Sequence, residues 1–136
     1  MDIKTNDATL NRPEGKRLVD APAVLVDIQD FIDQLKDESA WEKSDRNGIT
    51  VFKTPGLTVV LSALRKGAEM KELQVDGLLA LQVVEGEISV STSDDQTRII
   101  KEKQLLVLHP GAKHNLVVNK ETILLLSTIN AGENAA

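Results

Sequence analysis

Few side chains in this 136-residue chain can do chemistry at neutral pH. There are two histidines, His109 and His114, set either side of Pro110 and Gly111, and there is no cysteine. Without cysteine, disulfides, thiolate metal sites, iron–sulfur clusters and a cysteine nucleophile are excluded. Two imidazoles are too few for a His-rich metal cage within one chain. His109 precedes a proline, which holds it extended, so it is expected to end its strand as a solvated loop residue. A His109/His114 pair across the turn would supply two nitrogens, short of a filled metal shell. His114 stands in an apolar run, where a lone imidazole can orient a ligand, act as a general base or hydrogen-bond a backbone group. Acid–base work needs a positioned second group, and none has matching spacing, so the backbone bond is the favoured reading.

Other candidates fall on their context. Ser62, Ser89, Ser91 and Ser93 lack the G-x-S-x-G elbow of a serine hydrolase. The run GKR at 15–17 lacks the upstream glycine and downstream hydroxyl of a phosphate-binding loop. Asp30 and Asp33 read as capping and solvated charges of a helix, without a catalytic role. No cofactor-binding motif is found, and no cofactor or metal is expected.

Composition narrows the partners. The net charge is −5, with 16 Lys+Arg against 21 Asp+Glu, and only 2% of residues are aromatic (Phe31, Trp41 and Phe52). No basic stripe and almost no stacking surface argue against a nucleic-acid partner. With 41% hydrophobic residues the core must be aliphatic. No run of apolar residues is long enough to span a membrane, and the N-terminus has no apolar h-region, so a cytoplasmic location is expected.

The elements that must position His114 are legible as texture. Residues 1–17 read as a polar tail or arm, 18–48 as a lead-in segment, 49–130 as a β-domain and 131–136 as a frayed end. The lead-in carries the one helix, 28–38, because Ile28, Phe31, Ile32 and Leu35 share a face, with Asp27 as its N-cap. Trp41 is expected to plug one end of the core. From residue 49 short runs rich in Val, Ile, Leu and Thr alternate with turn signals, predicting eight or nine antiparallel strands in a sandwich or barrel. Gly67, Gly77, Gly86 and Gly111 are read as turn residues needing positive φ. LLALQVV and TILLLSTI are apolar on both faces, so they should be covered on both sides, and a partner subunit in a homodimer is the expected second cover.

Two stretches, GAEMKELQVDGLLALQVVEG (67–86) and KQLLVLHPGAKHNLVV (103–118), resemble the two motifs of the cupin superfamily. The likeness spans roughly 49–128, and the segment from Leu18 to Trp41 is similar to the lead-in of a small uncharacterised cupin group. It implies an all-β double-stranded β-helix, a jelly-roll barrel with an N-terminal arm and one short helix. In the family pattern two histidines and a glutamate of the first motif join a second-motif histidine to hold a divalent metal. Carried onto this chain, the three first-motif positions fall on Leu73, Val75 and Leu79 (Ala80 with the longer spacing), and only His114 matches. Lys103, His109 and Val118 stand where the second motif has glycine, proline and asparagine.

Aliphatic side chains donate no lone pair, so the resemblance implies a cupin with a degenerate metal site. It leads to two function classes. The first is a metal-free module that binds a small apolar molecule or serves assembly, its cavity lined by Leu73, Val75, Leu79, Leu81, Leu116 and Val118 with His114 as the polar point. Such a cavity also has the option of being filled by its own side chains. Sugar binding is disfavoured by the want of aromatics. The second is an enzyme: a metal-dependent cupin (oxygenase or isomerase type) with irregular ligands around His114, or a metal-independent isomerase using His114 as base. A one-residue register slip would support irregular ligands by turning Glu72 and Gln74 inward in place of Leu73 and Val75.

Overall fold

The computed structural model describes residues 22–130. The arm expected over 1–17 and the frayed end over 131–136 lie outside the described residues. The chain runs α1 (Ile28–Asp37), α2 (Ser39–Lys43), β1 (Arg46–Lys53), β2 (Leu57–Leu64), β3 (Glu69–Leu73), β4 (Leu78–Thr92), β5 (Thr97–Lys101), β6 (Leu105–Leu108) and β7 (His114–Ile129). Every strand pairing is antiparallel, and the sheet follows the order β1-β2-β7-β4-β5, with β3 on β7 and β6 on β4. The architecture is all-β, as the strand texture predicts.

The nine apolar runs make seven strands, because two of the turn signals do not turn. LLALQVV and EISVST are one strand, β4, and HNLVV and TILLLSTI are one strand, β7. These two long strands pair along their whole length, with register irregularities between Val83 and Ile88. There Gly86 has φ +99°, and a Cβ on it would collide with the Glu121 carbonyl and Thr122. Extra residues at a bulge bend a strand without ending it. The first half of β4 and the second half of β7 therefore join β6, β2 and β1, while their other halves join β5 and β3. The buried Thr122 hydroxyl pins the bend: it accepts the Glu87 N–H at 3.0 Å and lies 2.6 Å from the Lys120 carbonyl.

Gly77 departs from expectation. It has no positive φ; it is needed because a Cβ would strike the Ile129 carbonyl at the other end of the β4–β7 pair. Lys103, which replaces the second-motif glycine, does adopt the left-handed conformation, at φ 72°. Its N–H donates to the Val83 carbonyl at 2.7 Å, and that bond holds the turn between β5 and β6 in place.

Part of the second cover for the apolar strands, on the side of TILLLSTI, comes from the same chain. Phe31, Ile32 and Leu35 of α1 pack on Ile49, Val51, Leu61, Ala63 and Ile123, the outward-facing residues of β1, β2 and β7. Asp27 caps α1 by accepting the Asp30 N–H at 3.1 Å, and Lys36 reaches Glu121 of β7 at 3.0 Å. Trp41 lies in this outer layer on the second helix, which the sequence pattern missed, and does not plug the barrel. Arg65 stacks over it at 4.0 Å and donates to its carbonyl at 2.7 Å, a cation–π contact worth about 0.5–2 kcal/mol. Inside the barrel the buried apolar side chains are aliphatic, among them Leu64, Leu81, Val83, Ile88, Val90, Ile100, Leu116, Val118 and Leu124.

Two substitutions should move stability in opposite directions. Gly86→Ala should cost more than about 2 kcal/mol, since backbone strain and a main-chain collision add there. Lys103→Gly should gain up to about 1 kcal/mol by removing a Cβ from the left-handed region. Urea unfolding of the two variants beside the parent protein checks both signs.

Candidate functional site

Between the two halves of the barrel lies a partly open cavity of about 410 Å³. Its wall follows the period of two along the strands: Val60, Ser62 and Leu64 from β2, Leu79 and Leu81 from β4, Leu124, Leu126 and Thr128 from the end of β7, His114 and Leu116 from its start. Arg46, Asn47 and Gly48 at the head of β1 complete it, with Met70, Leu73, Gln74 and Val75 from β3 and the loop after it. Of the seven residues expected on the cavity from sequence, six, Leu73, Val75, Leu79, Leu81, Leu116 and His114, border this one space. Val118 does not: it belongs to the far end of the barrel, which Val83, Ile88, Val90, Ile100 and Val118 fill.

A bulge in β3 resolves the register question. Met70 pairs with Leu116 and Leu73 with His114, so three steps on β3 span two on β7. The extra residue is Glu72, at φ 55°, whose N–H donates to the Asn115 side chain at 2.8 Å. An even-numbered residue (Met70) and then odd-numbered ones (Leu73, Val75) thus border the same cavity, while Glu72 is exposed. Gln74 borders it too, with its amide donated to the Gly111 carbonyl at 2.9 Å. Together with the Gly111 N–H to the Val75 carbonyl at 2.8 Å, this ties the 109–113 turn to the 74–75 segment.

That turn orients the imidazole. His114 is 3% exposed, and its Nδ1 lies 3.2 Å from the Ala112 carbonyl, two residues back. A carbonyl only accepts, so Nδ1 carries the proton in the neutral ring and Nε2, on the leading edge, is a bare acceptor. Nε2 has no hydrogen-bond partner among the described residues. His109 is exposed and does not border the cavity; its carbonyl accepts the Ala112 N–H at 3.1 Å.

The donor set does not fit a metal. Among the described residues no three His, Cys, Asp or Glu side chains converge, and the cavity wall holds no carboxylate. One imidazole among leucines can neither hold a first-row cation nor pass a proton to a partner acid. What the arrangement can do is receive a small, mostly apolar body and offer it the His114 imidazole, with the Ser62 and Thr128 hydroxyls on the same wall. The aromatics take no part: Phe52 lines a separate apolar groove of about 380 Å³, between Pro22–Ile28 and the outer face of β1 and β2.

Sequence reasoning missed the β1 and β2 contributions and the second half of β7. Ser62 and Thr128, hydroxyl residues at inward positions of otherwise apolar runs, were the available signal. Arg46 had none. Its guanidinium is held at the cavity rim by Asp45 at 2.8 Å and by the Glu69 carbonyl at 3.1 Å.

Comparison with known proteins places the architecture. No protein-family model matches the sequence, and no curated protein matches it significantly. Solved structures do. A cupin-2 domain protein from Shewanella frigidimarina superposes with TM-score 0.62 at 13% identity, over 78% of this chain and 95% of that one. An RmlC-like cupin from the same organism gives 0.59 at 22% identity, over 68% and 82%. A variant of salicylate 1,2-dioxygenase from Pseudoaminobacter salicylatoxidans gives 0.70 at 17% identity, over 83% of this chain and 36% of that one. The chain has the cupin fold. The two stretches that resemble the cupin motifs lie along β3 and β4 and from the β5–β6 turn into β7. Among its described residues no helix is long and apolar enough to cross a membrane.

The rim pair gives a pH signature. The hydrogen bond from Arg46 holds the Asp45 carboxyl below its ordinary 3.8. A carboxylate depressed in the folded state stabilises above its unfolded pKa and loses that contribution as pH falls through the folded value. Both side chains are about half exposed, so the effect on stability is small. In a carbon-detected NMR titration Asp45 should show a midpoint below 3.8, returning toward it in Arg46→Gln; a midpoint at or above 3.8 in the parent contradicts the pairing.

Proposed function

We propose that this cupin is a metal-free module that binds a small apolar molecule inside its barrel. One observation carries the reading: a largely aliphatic, partly open cavity of about 410 Å³ in which the three motif positions that would ligate a metal, Leu73, Val75 and Leu79, are wall. A space of that size falls within the range of small-ligand pockets, ~300–1,000 Å³. The metal-dependent alternative, oxygenase or isomerase, rests on irregular ligands around His114. The exposed Glu72 and the tied Gln74 amide give it no support.

Protein purified without chelator should contain no stoichiometric metal, and manganese, iron, nickel and zinc should leave its melting temperature unchanged. Stoichiometric metal that is lost in His114→Ala would sink the metal-free reading. In the same assay an apolar compound such as p-cymene should raise the melting temperature, and Leu126→Trp, which fills the cavity, should abolish that rise.

Assembly is the companion reading, and we infer a homodimer from the outer face of the sheet. Leu105 and Val107 on the edge strand β6 are 59% and 51% exposed, and beside them on β4 lies the half-buried Ala80. An uncovered apolar edge strand favours pairing with a second copy. Light scattering at micromolar concentration should give twice the chain mass, and Val107→Lys should reduce it to one.

A further inference from the structure

Within the binding reading, on which this inference rests, the fixed orientation of one imidazole specifies the ligand's chemistry. We propose that the barrel selects small apolar molecules carrying a single hydrogen-bond donor, an alcohol or phenol, whose O–H is received by Nε2 of His114.

Three observations converge on this. The Ala112 carbonyl, 3.2 Å from Nδ1, takes the one proton of the neutral ring, so the free edge can accept and cannot donate. The orientation is enforced from outside the ring: the 109–113 turn that carries Ala112 is tied to residues 74–75 by the Gly111 N–H at 2.8 Å and the Gln74 amide at 2.9 Å. The protein offers Nε2 no donor of its own among the described residues. His114 is 97% removed from solvent, Nε2 has no partner among the described residues, and its neighbours on the wall include Leu73 and Leu116. A ligand that displaces water from that nitrogen without bringing a donor leaves it unsatisfied, so a ligand that brings one is favoured over an isostere that does not. An ether or ketone of the same shape would set oxygen against nitrogen, lone pair to lone pair.

The test uses three compounds of one skeleton: thymol, which donates; its methyl ether, which only accepts; and p-cymene, which does neither. In calorimetric titrations of the full chain in mildly alkaline buffer, thymol should bind about tenfold or more tighter than the other two. In His114→Phe that preference should vanish while p-cymene binding persists. A long-range proton–nitrogen correlation spectrum of the parent protein reads the tautomer directly and does not depend on any variant folding: a protonated Nδ1 with a bare Nε2 supports the assignment, and a protonated Nε2 overturns it. Equal affinities for thymol and p-cymene, or tighter binding of the ether, overturn the donor rule and leave the cavity reading standing. Failure of all three to bind overturns both.

Discussion

The pairing of β4 with β7 is the constraint on which the rest of this barrel depends. Each strand is long enough to belong to both halves of the barrel, and each must bend midway so that the halves face one another. Antiparallel strands of this length twist but do not fold over by themselves. The bend is made by irregular register between Val83 and Ile88, by the left-handed Gly86 against the Glu121–Thr122 backbone, and by the buried Thr122 hydroxyl on Glu87. Wherever the halves close tightly the interior is filled by Val and Ile. Where they diverge, toward Leu79, His114 and Thr128, the cavity remains.

The outer layer answers a different need. Strands apolar on both faces must be covered twice, and α1 covers β1, β2 and the end of β7 from outside. This accounts for the distribution of the few aromatics. Phe31 and Trp41 fill the helix–sheet layer, where gaps are irregular, while the barrel takes branched aliphatics that stack along strands. A cavity without aromatic walls, with one imidazole, cannot grip a sugar by stacking or a cation by coordination. It suits a small body that is mostly hydrocarbon.

The bulges show how local backbone geometry decides side-chain chemistry. Glu72 in β3 takes up the extra residue, and so Leu73 and Val75 border the cavity along with Met70. Had the strand kept a regular alternation from Met70, Glu72 would have faced His114 and the site would have held an acid beside a base. The same economy appears at Lys103, where a lysine tolerates the conformation a glycine would adopt freely because its N–H bond to Val83 holds the turn.

Read alone, the residues determined the all-β class and the first helix with its Asp27 cap, because these rest on period, turn chemistry and residue type, all local properties; the jelly roll was implied by the resemblance of two stretches to the cupin motifs. With that resemblance they also named six of the residues on the cavity wall. Tertiary structure alone decided that Glu85-Gly86 and Asn119-Lys120 are bends within strands, since a turn and a bulge use the same residue types and differ in what pairs across them. It decided likewise that the chain's own helix covers the sheet, that Val118 packs where Leu116 lines a space, and that Ser62, Thr128 and Arg46 join His114. The proton on Nδ1 depends on a carbonyl held in place by residues nearly forty positions away, and no local pattern encodes such a contact.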